Sequence, residues 1–298
     1  MHLAPLRGPA FEAFVAPARR APALWRLLLG LVIAALVWAL ALALTLNLAV
    51  PLGARPGGPA FTLAFLGGFA GLGLGTILAA RLLRGQGLAG LIGPGGFRPR
   101  AFLAGIAAVA CLSLASALLP GSAPLLPGAA PGPWLARLAP ALMVLLIQTS
   151  AEEIVFRGYL TQGLAARFRH PALWLWPQAL LFGALHWDPA TYGPNAPLVV
   201  AGAALIGLVL GDVTARTGDL SAAIGLHFAN NAIALLLIAT PGPLASLGLW
   251  TLAADPSDPA AFARLLRAGI ATTLAAYLLW LACHLRRGRL QSPRTGNI

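Results

Sequence analysis

Charge is what this sequence has least of. Only 9% of its 298 residues are charged, Asp and Glu together number eight, and lysine is absent. That is too little polar surface to cover a soluble fold, and with 59% hydrophobic residues and a mean hydropathy of +0.82 the composition is that of a protein dissolved in lipid. All 20 basic residues are arginine, which reflects a GC-rich coding sequence rather than a nucleic-acid surface, despite the net charge of +12. The only cysteines, Cys111 and Cys283, fall inside apolar runs and read as small core residues rather than a disulfide. No internal repeat is visible, which argues against an inverted-repeat transporter. No His-Glu-x-x-His helix is present either, so the familiar zinc-protease geometry is missing.

What is there is a succession of apolar windows of about 20 residues, the length that crosses about 30 Å of hydrocarbon. Eight are readable: 27–50, 59–80, 101–119, 135–160, 171–187, 196–214, 219–239 and 263–285. The expected fold is an all-α integral membrane protein, one bundle of about eight transmembrane helices. The first run is too long for a signal peptide and is expected to be retained. Arg7, Arg19, Arg20 and Arg26 precede the first helix, Arg81, Arg84, Arg98 and Arg100 follow the second, and Arg167 and Arg169 follow the fourth. Arg286, Arg287, Arg289 and Arg294 follow the last. Alternate loops carry Arg55, Asp188, Asp255 and Asp258. The positive-inside rule then puts both termini in the cytoplasm, Arg264 and Arg267 notwithstanding, and the expected location is a bacterial inner membrane.

The chain divides by chemistry into a cytoplasmic segment (1–26), N-terminal membrane helices without motifs (27–133), a polar core (134–240), an outer loop (241–262) and a last helix with a basic tail (263–298). In the second of these, Gly67, Gly71 and Gly75 form a small-residue ridge for close helix approach. The glycine-rich stretch around them follows no strand, so nucleotide binding is not expected.

Nearly all the intramembrane polar chemistry lies in residues 145–231. Glu152 and Glu153 sit side by side in an apolar segment, where each carboxylate costs roughly 2.5–3.5 kcal/mol even on a lenient scale. Glu153 and Arg157 are four apart and can pair on one helix face; Glu152 lies about 100° around, free for chemistry. Phe182 and His186 are four apart in the fifth helix, and His227 and Asn231 in the seventh. At about 1.5 Å per residue these groups fall within one layer of the membrane. Glu152 with His186 could deprotonate a water, and His227 with Asn231 could donate to an oxyanion. The same side chains could instead hold zinc.

Glu152-Glu153-x-x-x-Arg157, Phe182-x-x-x-His186 and His227-x-x-x-Asn231 together resemble the CPBP family of intramembrane endopeptidases, which includes the type II CAAX prenyl endopeptidases and bacteriocin-processing and immunity relatives. The resemblance covers residues 135–240 and implies a glutamate-type peptidase. Glu152, His186, His227 and Asn231 would be catalytic, and Glu153, Arg157 and Phe182 supporting. No cofactor is expected; a zinc-dependent version would use Glu152, His186 and His227 as ligands. The expected partners are membrane lipid and a peptide or protein substrate, possibly lipidated. The competing readings are a non-catalytic immunity or regulatory scaffold and a proton-coupled transporter using the two glutamates.

Overall fold

The computed structural model describes residues 6–117, 124–253 and 258–291, so Asp255 and Arg294 lie outside the described residues. Five helical stretches are long and apolar enough to cross a membrane: Leu24–Leu52, Pro59–Arg84, Pro131–Arg167, Pro189–Thr217 and Pro259–Arg286. Three shorter apolar helices, Pro99–Ala115, Ala172–Ala184 and Ser221–Leu237, accompany them. Each of the eight apolar windows therefore coincides with a helix, but three of those helices fall short of spanning length. The fifth window is cut short because its helix ends at Ala184 and the chain turns there. Its 13 residues reach about 20 Å, well under the hydrocarbon thickness.

The N-terminal helices are α1 (Pro9–Val15), α2 (Leu24–Ala49), α3 (Pro59–Gly67), α4 (Phe69–Arg84), α5 (Leu88–Ile92) and α6 (Pro99–Ala117). The polar core follows as α7 (Pro131–Glu153), α8 (Gln162–Arg167), α9 (Ala172–Ala184), α10 (Pro189–Tyr192), α11 (Ala196–Thr217) and α12 (Ser221–Ala232), and α13 (Pro259–Gln291) closes the chain. The α4, α7 and α11 spans are about half buried, whereas those of α2 and α13 lie mostly on the outside. The α7 helix, which carries the two adjacent glutamates, is thus among the more enclosed of the spans.

The glycine ridge does bring two helices together, but in a shifted phase. A Cβ on Gly71 would lie 2.3 Å from the Ala41 side chain, and one on Gly75 would lie 3.0 Å from the Ala34 backbone. Gly68 also faces α2, while Gly67 looks towards Val144. The phase follows from helical geometry, since Gly68, Gly71 and Gly75 stand at i, i+3 and i+7 on one face, whereas steps of four from Gly67 drift off it. Gly71→Val is expected to force α2 and α4 apart, costing about 1–3 kcal/mol, as a lowered Tm of the purified protein in detergent.

Two features were not anticipated. The N-terminal segment is not a plain polar leader: in α1, Phe11, Phe14 and Val15 are completely buried, and the Phe11 ring packs 4.6 Å from that of Trp174. Gly218 ends α11 with a left-handed φ of 71°, and a Cβ there would meet the Ala10 carbonyl oxygen at 2.6 Å, so only glycine lets the docked segment lie this close. At the opposite end of the bundle, the two outer loops build a small sheet of β1 (Leu125–Pro127), β2 (Ile238–Ala239) and β3 (Trp250–Leu252). Central β3 runs antiparallel to β1, with Leu125 opposite Leu252, and parallel to β2, with Ile238 opposite Trp250. The all-α description needs that one amendment.

Candidate active site

α7 carries Gln148 and Glu152 on one face and Glu153 beside them, all buried. Directly after Glu153 the helix widens into a π-helix over Ile154–Thr161. A π turn displaces the backbone ladder, and single π turns inside α-helices recur at functional sites. Here the displaced carbonyls find other donors: Thr161 Oγ1 donates to Phe156 O at 2.9 Å, and Arg84 Nη1 donates to Tyr159 O at 3.1 Å. A second π-helix, Ile233–Leu237, follows α12 just beyond Asn231. The Leu236 carbonyl there accepts from Trp134 Nε1 at 2.8 Å, tying the end of α12 to the start of α7.

The two motif helices meet at Glu153. Its Oε1 accepts from Arg157 Nη1 at 2.8 Å and lies 2.8 Å from His227 Nδ1. All three side chains are essentially shut off from solvent. With Arg157 donating to this carboxylate, it is a strong acceptor for a proton on Nδ1. That fixes the His227 ring and turns its other nitrogen, Nε2, towards Glu152 Oε2 at 3.5 Å. This is longer than a hydrogen bond, and Glu152 Oε2 is buried without a hydrogen-bond partner among the described residues. The two adjacent glutamates therefore occupy opposite sides of one imidazole. Arg157 Nη2 also reaches the Gly207 carbonyl of α11 at 3.3 Å, which Gln178 Nε2 shares at 2.9 Å.

Phe182 is the apolar centre of the site. Its buried ring stands edge-on to Phe156 at 5.1 Å and to His227 at 5.9 Å, packs on His186 at 4.9 Å, and lies 5.0 Å beneath the Arg157 guanidinium. His186 sits just past the end of α9 with Nδ1 2.8 Å from the Phe182 carbonyl, and unlike the other motif residues it is exposed. No hydrogen bond or ion pair joins it to Glu152 among the described contacts. The imidazole directly beside Glu152 is that of His227.

Asn231 is held by a run of amides. Asn230 Nδ2 donates to Asn231 Oδ1 at 3.2 Å, and Asn231 Nδ2 donates to Gln148 Oε1 at 3.0 Å. Gln148 was missed in the sequence, although its signal was present: it is a polar side chain in an apolar helix, one turn before Glu152. The bond to Gln148 uses one of the two Asn231 N–H donors and leaves the other to point elsewhere. Gln148→Leu is expected to cost about 0.5–1.5 kcal/mol, the net worth of the one hydrogen bond lost, read as a small fall in Tm of the purified protein in detergent.

The zinc alternative requires Glu152, His186 and His227 to converge. Among the described residues, no group of three or more His, Cys, Asp or Glu side chains is placed to hold a metal ion.

Comparison with known proteins adds to this geometry. No solved structure matches the chain. A Bacillus subtilis (strain 168) protein, uncharacterized protein YyaK, is 37% identical over 107 residues, which is 35% of this chain and 34% of that protein. The match thus spans only about a third of the relative's length. Residues 133–233, which contain every motif side chain described above, match the family of Rce1-like type II CAAX prenyl endopeptidases, and over that segment the resemblance read from the three motifs is borne out.

Proposed function

We propose that this protein is a multi-pass intramembrane endopeptidase that hydrolyses a peptide bond with water activated by Glu152. The observation that carries this reading is the arrangement of the two glutamates around His227. Glu153, neutralised by Arg157, orients the ring at Nδ1, so Glu152, on the Nε2 side, is left for chemistry.

Glu152 then takes a proton from water as the water oxygen bonds to the substrate carbonyl carbon. The developing oxyanion accepts hydrogen bonds from His227 Nε2–H and from the second Nδ2–H of Asn231. Breaking the C–N bond sends the proton from Glu152 to the departing amine. His186, exposed where α9 stops short of a full membrane crossing, is the second group that acts on this water in the proposal. Backbone that ends at such depth is tolerated where it borders a water-filled cavity or protein. A multi-pass arrangement with both termini cytoplasmic, in a bacterial inner membrane, fits the arginine distribution. The substrate is a peptide or membrane-associated protein, with or without a lipid tail.

The test is cleavage of quenched peptides, lipidated and plain, by the protein in proteoliposomes with a metal chelator present. Chelator-resistant cleavage that disappears in Glu152→Ala supports the proposal. Cleavage abolished by chelator and restored by zinc, or equal activity of wild type and Glu152→Ala, overturns it.

A further inference from the structure

Away from the motif residues, the docked N-terminal segment and the end of α8 enclose a cleft of about 400 Å³ lined by Arg7, Glu12, Arg19, Ala165, Ala166, Arg167 and Arg169. Four arginines from two distant parts of the chain face one carboxylate. The contacts separate these charges by role. Arg7 closes the end of α8: its Nη1 donates to Phe168 O at 2.8 Å, its Nη2 to Ala165 O at 3.2 Å and its Nε to Glu12 Oε1 at 2.7 Å. Arg19 also pairs with Glu12. Burial opposes the charge on Glu12, yet hydrogen bonds from Arg7 and Arg19 hold its carboxyl below the usual carboxylate range. Glu12 is therefore spent on the two arginines that fix the segment. Arg167 and Arg169, both exposed, supply positive charge that no acidic residue of the cleft offsets.

Position narrows the occupant. Arg167 is the last residue of the Pro131–Arg167 span, so the cleft lies at the end of a helix long and apolar enough to cross a membrane. Guanidinium groups bind phosphate oxygens in pairs, and basic pockets at this level suit anionic headgroups. We infer that this cleft binds the phosphate headgroup of an anionic membrane lipid, with Arg167 and Arg169 as its ligands and Arg7 and Arg19 as its rigid wall. The bound lipid would sit at the far end of the helix that carries Glu152 and Glu153, whether or not those residues cleave peptides.

The experiment is thermal unfolding of the purified full chain in detergent with phosphatidylglycerol, phosphatidylcholine or inorganic phosphate added. Phosphatidylglycerol should raise Tm clearly more than the other two. Arg167→Ala with Arg169→Ala should remove about half or more of that rise, while Arg81→Ala with Arg100→Ala, an equal loss of exposed charge elsewhere, should keep it. Equal loss in both double variants would mean general charge attraction and overturn the site. Equal stabilisation by inorganic phosphate would overturn the lipid assignment. Should the first double variant not fold, retention of phosphatidylglycerol over phosphatidylcholine by the wild type and its reduction in Arg169→Ala, both by native mass spectrometry, decide the same question; equal retention of the two lipids counts against it.

Discussion

Arg157→Met is expected to destabilise the protein by about 3–5 kcal/mol and to abolish cleavage, because it leaves a buried carboxylate with no cation donating to it. Arg157 is completely buried, donates to Glu153 and to the Gly207 carbonyl, and lies over the Phe182 ring. One substitution therefore strips contacts from three helices. The companion experiment is the double substitution Arg157→Met with Glu153→Met. Replacing both members of a buried pair by apolar groups is often neutral for stability, so the double variant should recover most of the lost Tm. It should remain inactive, because His227 Nδ1 loses the carboxylate that orients it. A double variant as unstable as the single one would mean that Arg157 matters through packing alone.

Glu152→Gln is expected to act in the opposite sense. Glu152 Oε2 has no hydrogen-bond partner among the described residues, and a buried carboxylate in that position is a cost borne by the fold. Removing the charge at constant shape should leave Tm unchanged or raise it, while cleavage falls by about 10²–10⁴-fold, the range associated with a positioned acid–base group. The same pair of measurements, Tm in detergent and peptide cleavage in proteoliposomes, checks both halves. A marked fall in Tm would make Glu152 a structural residue and return the role of base to another group.

The sequence made some of this legible and left some hidden, for identifiable reasons. Contacts within one helix follow from spacing, and the four-residue separation of Glu153 and Arg157 is realised as a 2.8 Å ion pair. Contacts between helices do not follow from spacing. That His227 leans on Glu153, and that His186 does not touch Glu152, depend on how α12 and α9 rotate against α7. Gln148 was within reach of the same helical arithmetic, counted backwards from Glu152. The docking of α1 was obscured by composition: Arg7, Arg19 and Arg20 flank Phe11 and Phe14 and make a packed helix look like a solvated leader. The sheet of β1, β2 and β3 escaped because its strands are two or three residues long and sit among proline and glycine.

The π-helix over Ile154–Thr161 bears on how this chain can change in length as well as in composition. Substitutions there alter a side chain and leave the helix phase alone. Losing a single residue from the stretch would let it tighten into an α-helix without breaking it. A π turn holds about one residue more than an α turn, so these eight residues rotate the chain about as far as seven α-helical ones would, and everything downstream would keep nearly its phase relative to the glutamates. Gln162 could then still accept from Gln86 and donate to the Gly90 carbonyl while Glu153 met His227. A one-codon deletion between Ile154 and Thr161 would thus remove the displaced turn and its carbonyl contacts but not the register of the two halves, so working relatives should tolerate a change of one residue in length here where a purely α-helical stretch would not.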